Sequence, residues 1–358
     1  MKRQPGASGG GRPLFTLSIA NWNGGKTVEE CLERVLAQPR ELFELIVVDN
    51  GSTDGSERRV RQILDGARRG GFPGRIQLLT FSGNQGFSAA HNAAFASGRG
   101  ELFFVLNSDA FLAPDFLESA AGAATRHPEA AMFAVKLYQD GACEKLDNVG
   151  LTFCADGQNR GLAHGESDGG KWDEPREVFC PSGAAALYRR QALEKAGTFD
   201  EDYFAYGEDF ELGLRIRRTG GTCILLPGAR AYHKGSSSLG EASPKRLRLI
   251  ERNRIWTALK HFPARRLLEL PGATAERFSA HYRMAKEKRG TAGKFVERHG
   301  LPRLVQTVVR ADLEALRGAP RMLWKRGELA LKFPLSEKTF DDWLERFGVS
   351  PKEMGEGV

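Results

Sequence analysis

The chain reads as an α/β protein that builds a site at the carboxyl ends of its strands and adds a basic helical region after it. Three observations predict this. Apolar, β-rich runs at 15–20, 42–48, 76–81 and 101–106 alternate with stretches of helical periodicity, the pattern of parallel βαβ units. Carboxylates or amides follow or interrupt apolar runs in three places: Asp49-Asn50 after Ile46-Val47-Val48, Asn107-Ser108-Asp109 after Leu106, and Glu208-Asp209 within Tyr206-Gly207-Glu208-Asp209-Phe210. Charge in such positions is expensive unless it is used, and open α/β sheets bind ligands outside the carboxyl ends of their strands. Finally, residues 245–334 hold 22 Lys and Arg against 8 Asp and Glu, a net +14, which leaves the rest of the chain at −7 although the total is +7.

The elements follow in order. After the strand at 15–20, Val28, Leu32, Val35 and Leu36 set a helix over 27–38 that Pro39 ends. Helices at 53–64 and 88–97 separate the next three strands. A helix at 114–126 follows, then mixed strands around 132–137. The Gly- and Asp-rich stretch 155–173 is too long to be structureless without a purpose, and reads as a flexible lid or acceptor loop. Helices at 190–196 and 209–219 and a strand at 223–226 complete this part. Beyond 244, Leu247, Ile250, Ile255, Trp256 and Leu259 interleave with Arg and Lys as in amphipathic helices, which Pro263, Pro271, Pro302, Pro320 and Pro334 are expected to break. The expected plan is a disordered basic tail at 1–13, a first domain at 14–244 and a basic helical extension at 245–358.

Composition narrows the class. An apolar content of 41% in 358 residues supports a globular core. The longest apolar runs, 102–106 and 224–226, fall far short of the roughly 20 residues that cross a bilayer. The first twelve residues are basic and Gly-rich without the apolar stretch of a signal peptide. Cys31, Cys143, Cys154, Cys180 and Cys223 are odd in number and form no C-x-x-C pair, which fits a reducing cytoplasm. The basic third attracts polyanions. It carries no nucleic-acid-binding motif, so no nucleic-acid partner is expected, and an anionic membrane face or a phosphate-bearing acceptor remains.

Each motif has a plain structural reading beside a functional one. Asp49-Asn50-Gly51-Ser52-Thr53-Asp54 can be a turn with an N-cap, and Asn84-Gln85-Gly86 an ordinary tight turn. A lone His233 is more often structural than a ligand. Glu208 and Asp209 complement a helix dipole, an effect of about 0.3–1 kcal/mol. Two adjacent acids after Tyr203-Phe204-Ala205-Tyr206-Gly207 exceed that need.

Taken in order, Ser18-Ile19-Ala20-Asn21-Trp22-Asn23, Asp49 through Asp54, Asn84-Gln85-Gly86-Phe87 to Asn92, Asn107-Ser108-Asp109, Ser182-Gly183-Ala184, Phe199-Asp200-Glu201 to Asp209, and Pro227 to His233 resemble a family 2 glycosyltransferase over residues 14–263. The resemblance implies the GT-A fold, a Rossmann-like mixed sheet flanked by helices, and transfer of a sugar from a nucleotide diphosphate to a hydroxyl. It assigns Asp49 and Asn50 to base and ribose recognition, with Ala20, Asn21 and Asn23 cradling the base and Asn84, Gly86, Phe87 and Asn92 completing the pocket. Asn107-Ser108-Asp109 stands where the family has Asp-x-Asp. It implies Asp109 as ligand of Mg²⁺ or Mn²⁺, His233 as a second ligand, and Asn107 as an amide contact in place of the usual first Asp. Asp209 takes the general base and Glu208 shapes the site or touches the acceptor. One base opposite the leaving group implies inversion. The Gln-x-x-Arg-Trp motif of processive synthases is absent, which implies one sugar per visit. The wording of the motifs is most similar to the rhamnosyltransferase branch, with a dTDP- or UDP-linked donor and a saccharide or polyprenyl-linked acceptor of bacterial surface polysaccharide. The implied place is the cytoplasm, on the inner face of the plasma membrane. A binding or scaffold protein that has lost turnover is the alternative, motivated by Asn107.

Overall fold

The computed structural model describes residues 12–139, 144–235, 240 and 242–356; Cys143 and the expected tail through residue 11 lie outside the described residues. The first half runs β1 (Phe15–Asn21), α1 (Thr27–Leu36), β2 (Phe43–Asp49), α2 (Ser56–Arg69), β3 (Ile76–Thr80), α3 (Gly86–Ser97) and β4 (Leu102–Asn107). It continues with β5 (Ala110–Leu112), α4 (Phe116–Arg126), β6 (Met132–Gln139), β7 (Leu146–Asn148), β8 (Leu151–Phe153), β9 (Asn159–Gly161), β10 (Arg176–Val178), β11 (Ala185–Arg189), α5 (Arg190–Ala196), α6 (Glu208–Arg218) and β12 (Cys223–His233). The last third is helical: α7 (Pro244–His261), α8 (Ala264–Lys286), α9 (Gly290–His299), α10 (Leu301–Lys332), α11 (Glu337–Phe347) and α12 (Pro351–Glu356).

The chain divides into two compact units. Unit 1 comprises Met1–Gly150, Gly161–Phe204 and Arg215–Ser238; unit 2 comprises Leu151–Arg160, Ala205–Leu214 and Leu239–Val358.

Unit 1 is built on a mixed sheet in the order β10-β12-β6-β11-β4-β1-β2-β3, with β5 on β12 and β7 on β6. β4, β1, β2 and β3 are parallel, as the βαβ alternation requires, and β11 turns the sheet mixed by pairing antiparallel with β4 and β6. β2 is buried along its whole length, which explains its unbroken apolar run. The expected last strand at 223–226 runs on to His233 through a register shift between Leu226 and Arg230. Pro227 has no N–H for the ladder, and the irregularity absorbs it.

The predicted lid at 155–173 is corrected, because its charged residues are anchored. Lys136, 2% exposed in β6, needs a counter-charge and takes Asp168 at 2.9 Å, while Tyr138 Oη donates to Asp168 at 2.6 Å.

In unit 2, α10 packs along α7, α12 along α8, and α9 against both α8 and α10. Gly318 permits the closest of these approaches: a side chain there would meet the Trp256 ring of α7, whose Nε1 donates to Ala315 O at 3.1 Å. Pro271 and Pro320 do not break helices as expected but lie inside α8 and α10. A proline removes one backbone hydrogen bond, and α10 is held on both sides of Pro320 by buried Ala311, Ala315, Met322 and Leu329. Phe153 packs on Phe210 and Phe340, and Phe262 packs on Phe340. In the turn between β8 and β9 lies Asp156, fully buried, which receives Arg277 Nε at 2.6 Å. Arg277 also forks onto Glu251 at 2.8 and 3.0 Å, and Arg254 donates to Glu251 at 3.1 Å and to Asp156 O at 2.9 Å. Among the described residues no helix is long and apolar enough to cross a membrane.

Candidate active site

The parallel register sets the ends of β1, β2 and β4 side by side in unit 1: Asn21 is opposite Asp49, and Ala20 is opposite both Val48 and Asn107. Asp49 is 1% exposed, yet its carboxylate is satisfied locally. Oδ2 accepts from Asn21 Nδ2 at 2.7 Å and Oδ1 from the Ser52 amide at 2.9 Å. Asn21 Nδ2 also reaches Ser52 and Ser56, while its Oδ1 is buried without a hydrogen-bond partner. Asn23, at φ 52°, accepts the Thr53 amide at 2.8 Å. The two strand-end loops are thereby stitched together before any ligand arrives.

Asn50 extends this lattice. Its amide donates to Gly86 O at 3.0 Å and to Asn84 Oδ1 at 3.2 Å, and accepts from the Gln85 amide at 2.8 Å. Gly86 is required for a different reason than a ligand's approach. It sits at φ 94°, and a Cβ would lie 2.5 Å from Phe204 O. Phe87 donates its amide to the same oxygen at 2.7 Å and packs its ring on His91 and Phe199. Asn92 departs from the expectation of a pocket contact. Its amide donates to Phe199 O and Glu201 Oε1 and accepts from the Phe199 amide, all within 3.0 Å, so it pins that segment to α3.

Asn107-Ser108-Asp109 ends β4 and turns directly into β5. β5 pairs antiparallel with β12, Ala110 opposite His233, which carries Asp109 to the histidine. Asp109 Oδ1 lies 3.3 Å from His233 Nε2, and Asp147 Oδ2 of β7 lies 3.1 Å from His233 Nδ1. His233 Nε2 is buried without a hydrogen bond of good geometry. Burial lowers the His233 pKa, but the hydrogen bonds and charges of Asp109 and Asp147 outweigh it and push it up to about 10. Burial raises Asp147, and its bonds to His164 and His233 override this and hold it well below the usual carboxylate range. Among the described residues no three His, Cys, Asp or Glu side chains converge as a metal cage. The donor set still suits a hard cation. With Nδ1 bonded to Asp147, Nε2 lies 3.3 Å from the Asp109 carboxylate, and the two would serve as ligands once Nε2 gives up its proton to the cation.

Glu208 and Asp209 open α6 in unit 2. The chain reaches them through positive φ at Phe204, Tyr206 and Gly207, an unusual run for two aromatic residues. Asn253 of α7 holds the carbonyls of Ala205 and Tyr206 at 2.9 and 2.6 Å. Glu208 is 5% exposed and its Oε2 has no hydrogen-bond partner. Burial, joined by the charge of Asp209, raises its pKa well above the ordinary value.

Unit 1 therefore brings together Asp109 and His233, and, in a neighbouring lattice, Ala20, Asn21, Asn23, Asp49, Asn50 and Asn84. Sequence reading missed Asp147, whose one signal was a charge between Leu146 and Val149 in an otherwise alternating segment.

Three comparisons bear on this site. The profile of Glycosyl transferase family 2 matches residues 16–197. Uncharacterized protein y4gI of Sinorhizobium fredii is 28% identical over 243 residues, 66% of this chain, and the chain spans 26% of that protein's length. The N-acetylglucosaminyl-diphospho-decaprenol L-rhamnosyltransferase of Mycobacterium tuberculosis is 26% identical over 259 residues, 63% of this chain and 78% of the enzyme. The solved structure of mannosyltransferase PcManGT from Pyrobaculum calidifontis, in complex with GDP-Man and Mn²⁺, superposes with a TM-score of 0.52 at 18% identity, covering 92% of this chain and 88% of that one. The shared fold is GT-A.

Proposed function

Because the chain belongs to glycosyl transferase family 2, we propose that it moves one sugar, with inversion, from a nucleotide diphosphate to a hydroxyl of a saccharide or polyprenyl-linked acceptor in bacterial surface-polysaccharide assembly. The observation that carries this reading is the pairing of Asp109 with His233 Nε2 at 3.3 Å, with Asp147 fixing the far side of the ring. Asp109 and His233 would hold Mg²⁺ or Mn²⁺. When bound, the cation supplies neutralising charge for the departing diphosphate.

In the proposed step the acceptor oxygen attacks the anomeric carbon as its proton passes to Asp209. The bond between that carbon and the diphosphate oxygen breaks, and its electron pair leaves with the diphosphate. The acid pair supports Asp209 as base: burial, joined by the charge of Asp209, raises the Glu208 pKa well above the ordinary value, which suits Glu208 less to an ionised role. The lattice of Asn21, Asp49 and Ser52 is the proposed seat of the nucleoside, with Asn21 Oδ1 the acceptor left open.

The name of the Mycobacterium relative supports rhamnose as the sugar and a polyprenyl-diphosphate sugar as the acceptor, so dTDP-rhamnose is the first donor to try, with UDP-sugars as the comparison set. Four described cysteines, all buried and none in a disulfide, support a reducing, cytoplasmic setting. Radiolabelled transfer with these substrates is the direct test. Asp209→Asn is expected to lower turnover by about 10²–10⁴ while calorimetry finds donor affinity unchanged. Near-normal turnover would move the base elsewhere, with Glu208 next in line. Asn107 in place of the family's first Asp favours a second reading, a donor-binding protein without turnover. Donor binding with no product from any acceptor would select it.

A further inference from the structure

Helix α10 is apolar on two opposite faces, and only one of them is covered. Thr307, Ala311, Ala315, Met322 and Leu329 recur at steps of four and seven and are buried in unit 2. Val305, Val309, Leu313, Leu316 and Leu323 recur at steps of three, four and seven on the other side, with Trp324 next to Leu323, each 48–67% exposed. A helix apolar all round is normally enclosed, and contiguous apolar surface left open marks an interaction site.

The border of this stripe says what covers it. Arg303, Arg310 and Arg317 follow one another at seven-residue steps and Arg321 comes one turn later, so they line one edge of the apolar face. Of the three acids in α10, Glu314 is engaged by Arg248 at 2.7 Å and by Arg310 at 3.3 Å, Asp312 is partly buried with its pKa raised by burial, and Glu328 is exposed seven residues after Arg321 on the arginine edge. Apolar side chains flanked by arginines, with a tryptophan among them, match the acyl and headgroup layers of an anionic bilayer: the stripe enters the acyl boundary and the guanidinium groups reach the phosphates. We propose that the outer face of α10 docks on an anionic membrane surface, lying in its plane without crossing it. A second copy of this chain would have to place these four arginines against their own equivalents or against Glu328, the one exposed acid of α10.

Co-sedimentation of the full-length protein with vesicles tests this. The protein is expected to sediment with an equal mixture of phosphatidylcholine and phosphatidylglycerol, to stay in solution with phosphatidylcholine alone, and to be released by salt. Leu313→Ser with Leu316→Ser, and separately Arg310→Glu with Arg317→Glu, should each weaken binding about tenfold or more. Both substitute exposed positions, so circular dichroism and melting temperature should match the parent. A blue shift of tryptophan emission on vesicle addition should shrink in Trp324→Phe. Failure to sediment with the anionic mixture at low salt overturns the proposal, as does binding that both double variants retain. Light scattering that finds a dimer dissociated by the leucine variants, with no vesicle binding, also overturns it and gives the face to a second copy.

Discussion

In unit 2, Asp156, Glu251, Arg254 and Arg277 form a buried cluster of two anions and two cations in which each Arg277 nitrogen finds a carboxylate. In unit 1, Asp109 and Asp147 bracket one imidazole. The ingredients are alike and the outcomes differ. The first cluster balances its charge and closes its hydrogen bonds, so it can only hold structure. The second sets Asp109 and Asp147 on one imidazole, with His164 also on Asp147, and leaves a buried ring nitrogen without a well-formed bond, which fits the cation site proposed above. Burial and residue type do not separate a structural cluster from a functional one; the remaining valence does.

The sharpest way to break this contrast is to empty one partner from the closed cluster. Arg277→Met leaves Asp156 and Glu251 with Arg254 alone as their cation, and should destabilise by about 3–5 kcal/mol in denaturant titration. Asp109→Asn, which removes excess negative charge, should leave the unfolding midpoint near that of the parent. Equal losses in the two variants would show that both clusters are structural.

A smaller effect sharpens the open cluster. Asp147→Asn should weaken Mn²⁺-dependent binding of a nucleoside diphosphate about 10–100-fold, because the ring loses the carboxylate that orients it. Calorimetry reads the affinity and nitrogen-shift NMR of His233 reads the tautomer. An unchanged affinity would confine Asp147 to packing.

The gentlest probe is acid. Burial raises Glu251, but the charges of Arg277 and Arg254 prevail and hold it at about 2. Its contribution is therefore present above the unfolded value near 4.5 and is lost as pH falls towards 2. His281, pushed down to about 4 by burial and then by the charge of Arg277, is kept neutral in the fold. The unfolded chain takes that proton first, so this contribution fades between 6.5 and 4. As pH falls, melting temperature should drop first through the histidine window and then through the Glu251 window, and His281→Phe should shrink the upper phase, to which His91, pushed down to about 3 by burial, also contributes.

Much of unit 1 was legible in the sequence because its signals are local. Strand runs such as Leu102–Asn107 and helical spacing such as Val28, Leu32 and Val35 need no distant partner to be read. The motif residues at the strand ends were legible through family resemblance. What escaped were residues whose meaning lies far along the chain. Asp147 meets His233 at a separation of 86 residues, and Asp156 meets Arg277 at 121. Within its own segment Asp156 looks like one more polar loop residue. Pro320 was misread for a similar reason, since propensity alone does not know that packing holds the helix on both sides of it.

The hairpin residue Asp156 also has a consequence for how the molecule comes into being. Residues 151–160 and 205–214 leave the ribosome well before Glu251, Arg254 and Arg277, so the first segments of unit 2 must wait, unneutralised, for the last hundred residues. The same delay reaches the acid pair, because Asn253 caps the carbonyls of Ala205 and Tyr206 just ahead of Glu208. A nascent chain halted near Pro244 thus has the side chains of its donor lattice but lacks the scaffold of its proposed base. On the proposed reading, vectorial synthesis makes the seat for a sugar nucleotide older, within the life of each molecule, than the base that would use one.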